Sequence, residues 1–341
     1  MAGHYPPPAG PYRPPPPPAA PPYGPPGQVV HPYYYAPPRR PPQRSAGGAI
    51  VGIIGGLAAL AVIAIVGLSV LGSLARQTTS GQTGSSGTTS GNSQTGAGVG
   101  AQSGQAAATN NKLYATGSLS PVGCRLPPIG PAPASMNRFM NTLSDCLDKS
   151  WSSQFAKAGI SYAPPQRVFW LQSGRSPCGT YPAPGASAFY CPANNTMYVG
   201  LRNVVETSGG ESLDHYAVFA RVIAHEYGHH VQDRSGILEY GHEQMEQSGT
   251  AGRTEASRRI ELQAQCLAGA FLGVEAPTLP MTRDQYVAMV IDVQGRGDER
   301  QPVDKRDHGS GRNYAGWVIR GYQRHQLTYC NTWTATPSMV N

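Results

Sequence analysis

His225, Glu226 and His229 stand in the order HExxH, completed by Tyr227 and Gly228. On a helix, positions i and i+4 share a face, so both imidazoles can present a ring nitrogen to one ion about 2.0 to 2.1 Å away. Zn2+ suits that donor set. Glu226, beside the first ligand, points towards an open coordination position, where a carboxylate serves as general base for an activated water. That is the chemistry of a metal-dependent hydrolase.

A third ligand is needed. Glu239, His242, Glu243, Glu246, Glu255 and Glu261 all follow at workable distances. The longer metzincin pattern would require Gly at 232 and His at 235, but the chain has Gln232 and Ser235, which excludes that class. A glutamate on a following helix is the main alternative. Glu261 qualifies best because it sits on a clear helical repeat, whereas 239 to 254 is polar, contains Gly and reads as loop. His230 points about 100° away from His229 and reads as structural. Tyr227 reads as packing.

These residues need a scaffold, and the chain supplies one only in its second half. Its 42 Gly and 33 Pro crowd towards the front. Residues 1 to 42 hold 18 Pro and six Tyr, which favours extended polyproline conformations and cannot build a core. Residues 1–45 are therefore expected to be a disordered cytoplasmic tail, able to dock a partner with a Pro-binding groove. Residues 46–75 carry no charge and are long enough for a transmembrane helix. Arg39, Arg40 and Arg44 precede that run against Arg76 alone after it, so the positive-inside rule keeps the N-terminus cytoplasmic and exports the rest. The expected location is a single-pass plasma-membrane protein with its C-terminal domain extracytoplasmic. Residues 76–112, rich in Gly, Ser and Thr, read as a flexible linker.

The domain itself is expected over 113–341. Beyond Arg76 there are 21 basic and 19 acidic side chains, leaving about +2, so the formal +7 reflects membrane topology and not nucleic-acid binding. The fold class reads as α+β. Helices are expected over 135–158, 213–233 and 255–272, from Thr282, where Thr282 and Gln285 suggest a capping box, and after His308 to Ser310. Strands are expected over 167–171, 186–191 and 196–200, the last two joined by a Pro and Asn turn. Cys124, Cys146, Cys178, Cys191, Cys266 and Cys330 all lie on the exported side, where three disulfides can form; spacing alone leaves 15 pairings open.

The stretches CGTYPAPGASAFYCPANNTMYVGL (178–201), VIAHEYGHHVQ (222–232), RRIELQAQCLAGAF (258–271) and HGSGRNYAGWVIRGYQ (308–323) resemble, in that order, the neutral zinc metallopeptidase family. The resemblance implies a zincin-like, gluzincin-type domain whose ligands are His225, His229 and Glu261. It also implies pairing of Cys178 with Cys191 and Cys266 with Cys330, leaving Cys124 with Cys146. Where the family motif reads ELQADC, this chain has Gln265 in place of Asp, at the position of a group that orients a ligating imidazole. His308, in the family's HGS, can donate to a developing oxyanion or can merely cap and pack. The function expected is hydrolysis of peptide bonds in a peptide or protein substrate, with Glu226 as base. The rivals are a catalytically impaired zincin-like binding module at the cell surface, motivated by Gln265, and a structural envelope protein in which HExxH is a coincidence.

Overall fold

A computed structural model describes residues 96–183 and 186–341. The tail 1–45 and the span 46–75 lie outside them, as does 76–95. Among the described residues no helix is long and apolar enough to cross a membrane.

The first described stretch corrects the expected linker. Residues 96–112 pack onto the domain: α1 (Gly104–Thr109) buries Ala107 and Ala108. The Gly98 N–H donates to the Arg234 carbonyl at 2.8 Å, and the Ser161 N–H to the Val99 carbonyl at 2.8 Å. Gly98 lies so close to the Ser161 carbonyl that a Cβ there would collide with it. The glycines that read as flexibility serve close approach.

α2 (Pro133–Ala158) starts with Pro in its first turn and ends at Gly159 in the left-handed region, φ 65°. Its buried stripe includes Met136, Phe139, Met140, Leu143, Leu147, Trp151 and Phe155. Five strands follow: β1 (Gln166–Trp170), β2 (Gly174–Ser176), β3 (Gly179–Tyr181), β4 (Ala188–Cys191) and β5 (Thr196–Gly200). β5 is central in a sheet of order β1-β5-β4, parallel to β1 and antiparallel to β4. β2 and β3 form a separate hairpin that alternation did not reveal. Phe189 and Tyr198, cross-strand partners in β4 and β5, stack at 4.7 Å.

After the short α3 (Asn203–Glu206) come α4 (Tyr216–Arg234), α5 (Ile237–Gln247), α6 (Thr250–Val274), α7 (Arg283–Gln294) and α8 (Gly311–Arg324). α5 corrects the expected loop: Ile237, Leu238, Gly241 and Met245 are its buried side. α4 is buried nearly all round, as befits a central helix, and α6 packs along both α4 and α8. Thr282 Oγ1 accepts from the Gln285 N–H at 3.3 Å, but the capping box is only half formed. The Gln285 side chain crosses to α4 instead, accepting from the Ala217 N–H and donating to the Asp214 carbonyl.

Three disulfides join Cys124 to Cys146, Cys178 to Cys191 and Cys266 to Cys330, with no free cysteine among the described residues. The first ties the segment before α2 to that helix, the second ties β4 to the loop entering β3, and the third anchors α6 to the C-terminal segment.

Candidate metal centre

His225 and His229 project from one face of α4, and Glu261 faces them from α6. What lets the two helices approach is Gly228, inside the motif: a Cβ there would meet the Ala264 carbonyl oxygen at 3.0 Å and its Cα at 3.1 Å. Three side chains converge. His225 Nε2 lies 3.2 Å from His229 Nε2 and 3.2 Å from Glu261 Oε2, while His229 Nε2 lies 3.5 Å from Glu261 Oε1. Ligands about 2.05 Å from a tetrahedral ion are separated by about 3.3 Å, so these edges fit zinc and its usual donors. Of the six candidates for third ligand, only Glu261 joins the two histidines within 4.8 Å among the described residues. His242, on α5, is close enough to His229 for its charge to be felt, and burial chiefly holds its pKa down to about 4.

Burial pushes the His225 pKa down to about 4, favouring the neutral imidazole a metal requires. Burial would raise Glu261, but the charge of His229, a hydrogen bond from His225 and the charge of His308 outweigh it and hold the carboxyl well below its usual range. Burial pushes Glu226 up to about 7, against the opposing charge of His229. A carboxylate poised near neutrality suits proton transfer.

The outer contacts differ between the two histidines. His229 Nδ1 donates to Gln232 Oε1 at 3.0 Å. The Gln232 amide is itself fixed, donating to the Ile260 carbonyl and to Gln263 Oε1, each at 2.9 Å, and Gln263 donates to the Tyr114 hydroxyl and the Cys330 carbonyl. In sequence Gln232 only excluded a family; its amide role depends on contacts with α6 that no local pattern displays. His225 Nδ1, by contrast, is buried with no hydrogen-bond partner, and so are both amide atoms of Gln265. Gln265 lies against the Tyr314 hydroxyl and slightly offsets the effect of its burial, without reaching hydrogen-bond geometry.

His308 sits at the edge of the site with Tyr314 between it and His225; their ring centroids are 6.0 and 6.3 Å from that of Tyr314. His308 Nδ1 donates to Asp307 Oδ1 at 2.7 Å, and its backbone N–H donates to Asp298 Oδ2 at 2.7 Å. Burial would lower the His308 pKa, but the Asp307 hydrogen bond and the charges of Glu261, Asp307 and Asp298 carry it up to about 10. Asp298 and Asp307 escaped the sequence reading. Asp307 adjoins His308 and could have been noticed there; Asp298 reaches it only through the fold.

Tyr227 and His230 point away from the side of α4 that carries His225 and His229. The Tyr227 hydroxyl donates to Asp148 Oδ1 at 2.8 Å and lies 2.5 Å from the Tyr162 hydroxyl. His230 Nε2 donates to the Ala163 carbonyl at 3.0 Å. Both brace α4 against α2 and the segment before β1.

Comparison with known proteins now decides the lineage. Residues 130–333 match the model of the family described as "Putative neutral zinc metallopeptidase". The chain belongs to that family. YpfJ of Escherichia coli K12, an uncharacterized protein, is 31% identical over 216 residues, covering 60% of this chain and 74% of that protein. The uncharacterized Rv2575 of Mycobacterium tuberculosis H37Rv is 32% identical over 228 residues, covering 59% and 73%. No solved structure matches. The four stretches that carried the resemblance fall on β3 to β5, the second half of α4, most of α6 and nearly all of α8.

Proposed function

We propose that this chain is a zinc-dependent peptidase with a zincin-like domain, anchored to the plasma membrane by residues 46–75. Its catalytic domain would face the extracytoplasmic side, a placement supported by the charge asymmetry around the span and the three disulfides. The Pro-rich tail would remain in the cytoplasm, available to a partner with a Pro-binding groove. The observation that carries the reading is the convergence of His225 Nε2, His229 Nε2 and the two Glu261 carboxylate oxygens, at separations of 3.2 to 3.5 Å that suit a zinc site.

His225, His229 and Glu261 would hold the ion. Bound zinc supplies Lewis acidity, polarising the scissile carbonyl and making a water acidic near neutral pH. Glu226 then accepts the proton of the attacking water on its carboxylate and passes it to the leaving amine. His308, with Nδ1 committed to Asp307, offers its Nε2–H to the oxyanion. The unpaired Gln265 and His225 Nδ1 favour a second reading, a zinc-binding module that does not hydrolyse.

The test is hydrolysis of a mixed peptide pool by the full-length chain. Activity should vanish with a chelator, return with zinc, and fall about 10²- to 10⁴-fold in Glu226→Gln with zinc retained. Equal rates in wild type and Glu226→Gln would refute the peptidase reading, and bound zinc without hydrolysis would select the binding module.

A further inference from the structure

A cleft of about 550 Å³ lies apart from the metal centre, lined by Arg125, Leu126 and Pro127 on one side and by Asn137, Arg138, Asn141, Thr142 and Asp145 of α2 on the other. Its size falls within the range of about 300–1,000 Å³ usual for ligand sites. None of its residues belongs to the machinery described above.

Its walls are held in place. The Arg125 wall follows Cys124, which is disulfide-bonded to Cys146 on α2. The buried carboxylate of Glu275 accepts from the Val122 and Cys124 N–H groups at 2.5 and 2.8 Å. Further along, Ser135 Oγ accepts from the Gly130 N–H at 2.8 Å and donates to the Pro128 carbonyl at 3.1 Å. A surface segment pinned on both sides of its lining residues is preorganised, which reduces the entropy lost on binding.

Its charge is uncompensated. Arg125 and Arg138 are exposed, and neither guanidinium has a carboxylate partner among the described residues. The one acid in the lining, Asp145, is already paired with Arg167 at 2.7 Å. Two unpaired guanidinium groups facing one cleft match carboxylates, which arginine binds in bidentate fashion. Asn141 Nδ2 is spent on Asn137, leaving its side-chain Oδ1 to accept from a peptide N–H, while Leu126 and Pro127 offer an apolar strip.

From this arrangement we infer that the cleft docks an acidic peptide segment, with carboxylate side chains seated on Arg125 and Arg138. A nucleic acid or an anionic membrane calls for a broad basic face, whereas here only two cations line a shallow, open depression on a nearly neutral domain. The inference does not depend on hydrolysis.

The experiment is fluorescence anisotropy of the full-length chain with a labelled peptide of alternating Glu and Ala. Saturable binding is expected, weakened at least about tenfold in Arg125→Glu/Arg138→Glu and by a smaller factor in Arg125→Lys/Arg138→Lys, which keeps the charge but loses the bidentate fork. Single Arg125→Ala and Arg138→Ala variants, each expected to weaken binding several-fold, carry the same test should the double variant unfold. Absence of binding by the wild type, or undiminished binding by the Ala variants, overturns the inference. So does tighter binding of a single-stranded oligonucleotide, or of phosphatidylglycerol vesicles, that the same substitutions abolish.

Discussion

His229 Nδ1 donates to Gln232 Oε1 at 3.0 Å, three residues further along the same helix. The bond fixes the tautomer that leaves Nε2 free, and Gln232 is locked in turn by Ile260 and Gln263 on the helix that carries Glu261. Replacing Gln232 with Ala should therefore weaken zinc binding about 10- to 100-fold. Competition with a chromophoric chelator measures this, and an unchanged affinity would mean that the amide relay does not orient His229.

His225 lacks such support. Its Nδ1 and the Gln265 amide are buried and unpaired, one on each of the two ligand-bearing helices. Gln265→Asp should provide a charged acceptor and raise zinc affinity by about tenfold or more. The same titration checks it; a neutral or weakening effect would show that position 265 does not reach the imidazole.

Asp233 supplies a pH dependence away from the metal ligands. Burial pushes its carboxyl up to about 6, against the opposing influences of the Tyr190 hydroxyl and Arg234. Between pH 4 and 6 the folded state thus binds more protons here than the unfolded chain, so this group's contribution to stability falls as pH rises. Thermal unfolding of wild type and Asp233→Asn across that window should show the wild type losing ground to the variant as pH increases, by at most about 3 kcal/mol. A constant difference would contradict it.

The segment 96–100 should behave as part of the domain. Gly98→Val places a side chain against the Ser161 carbonyl, and overpacking of this kind costs about 1–3 kcal/mol. A lowered melting temperature and faster hydrogen exchange at Val99 and Ser161 are expected; wild-type values for both would return the segment to the linker.

Local signals were readable where a short-range rule governs the outcome. The i, i+4 spacing put His225 and His229 on one face, and Thr282 was visible as a cap because capping is a contact across three residues. Reading failed where one composition serves two physical ends. Gly96, Gly98 and Gly100 look like a tether, yet Gly98 is required by a backbone packed against it. The stretch from Glu239 to Gln247 is polar enough to resemble loop, but Ile237, Leu238, Gly241 and Met245 suffice to hold a helix against the domain. The Gln232 relay and the link from Asp298 to His308 are hidden for another reason, since each needs partners that only the tertiary fold supplies.

The central claim is that His225, His229 and Glu261 form one zinc site, and metal content tests it most directly. The full-length chain, exchanged into metal-free buffer after loading, should retain about one zinc per chain, while Glu261→Ala and His225→Ala should each retain little. Equal zinc in wild type and both variants, or none in the wild type, would contradict it.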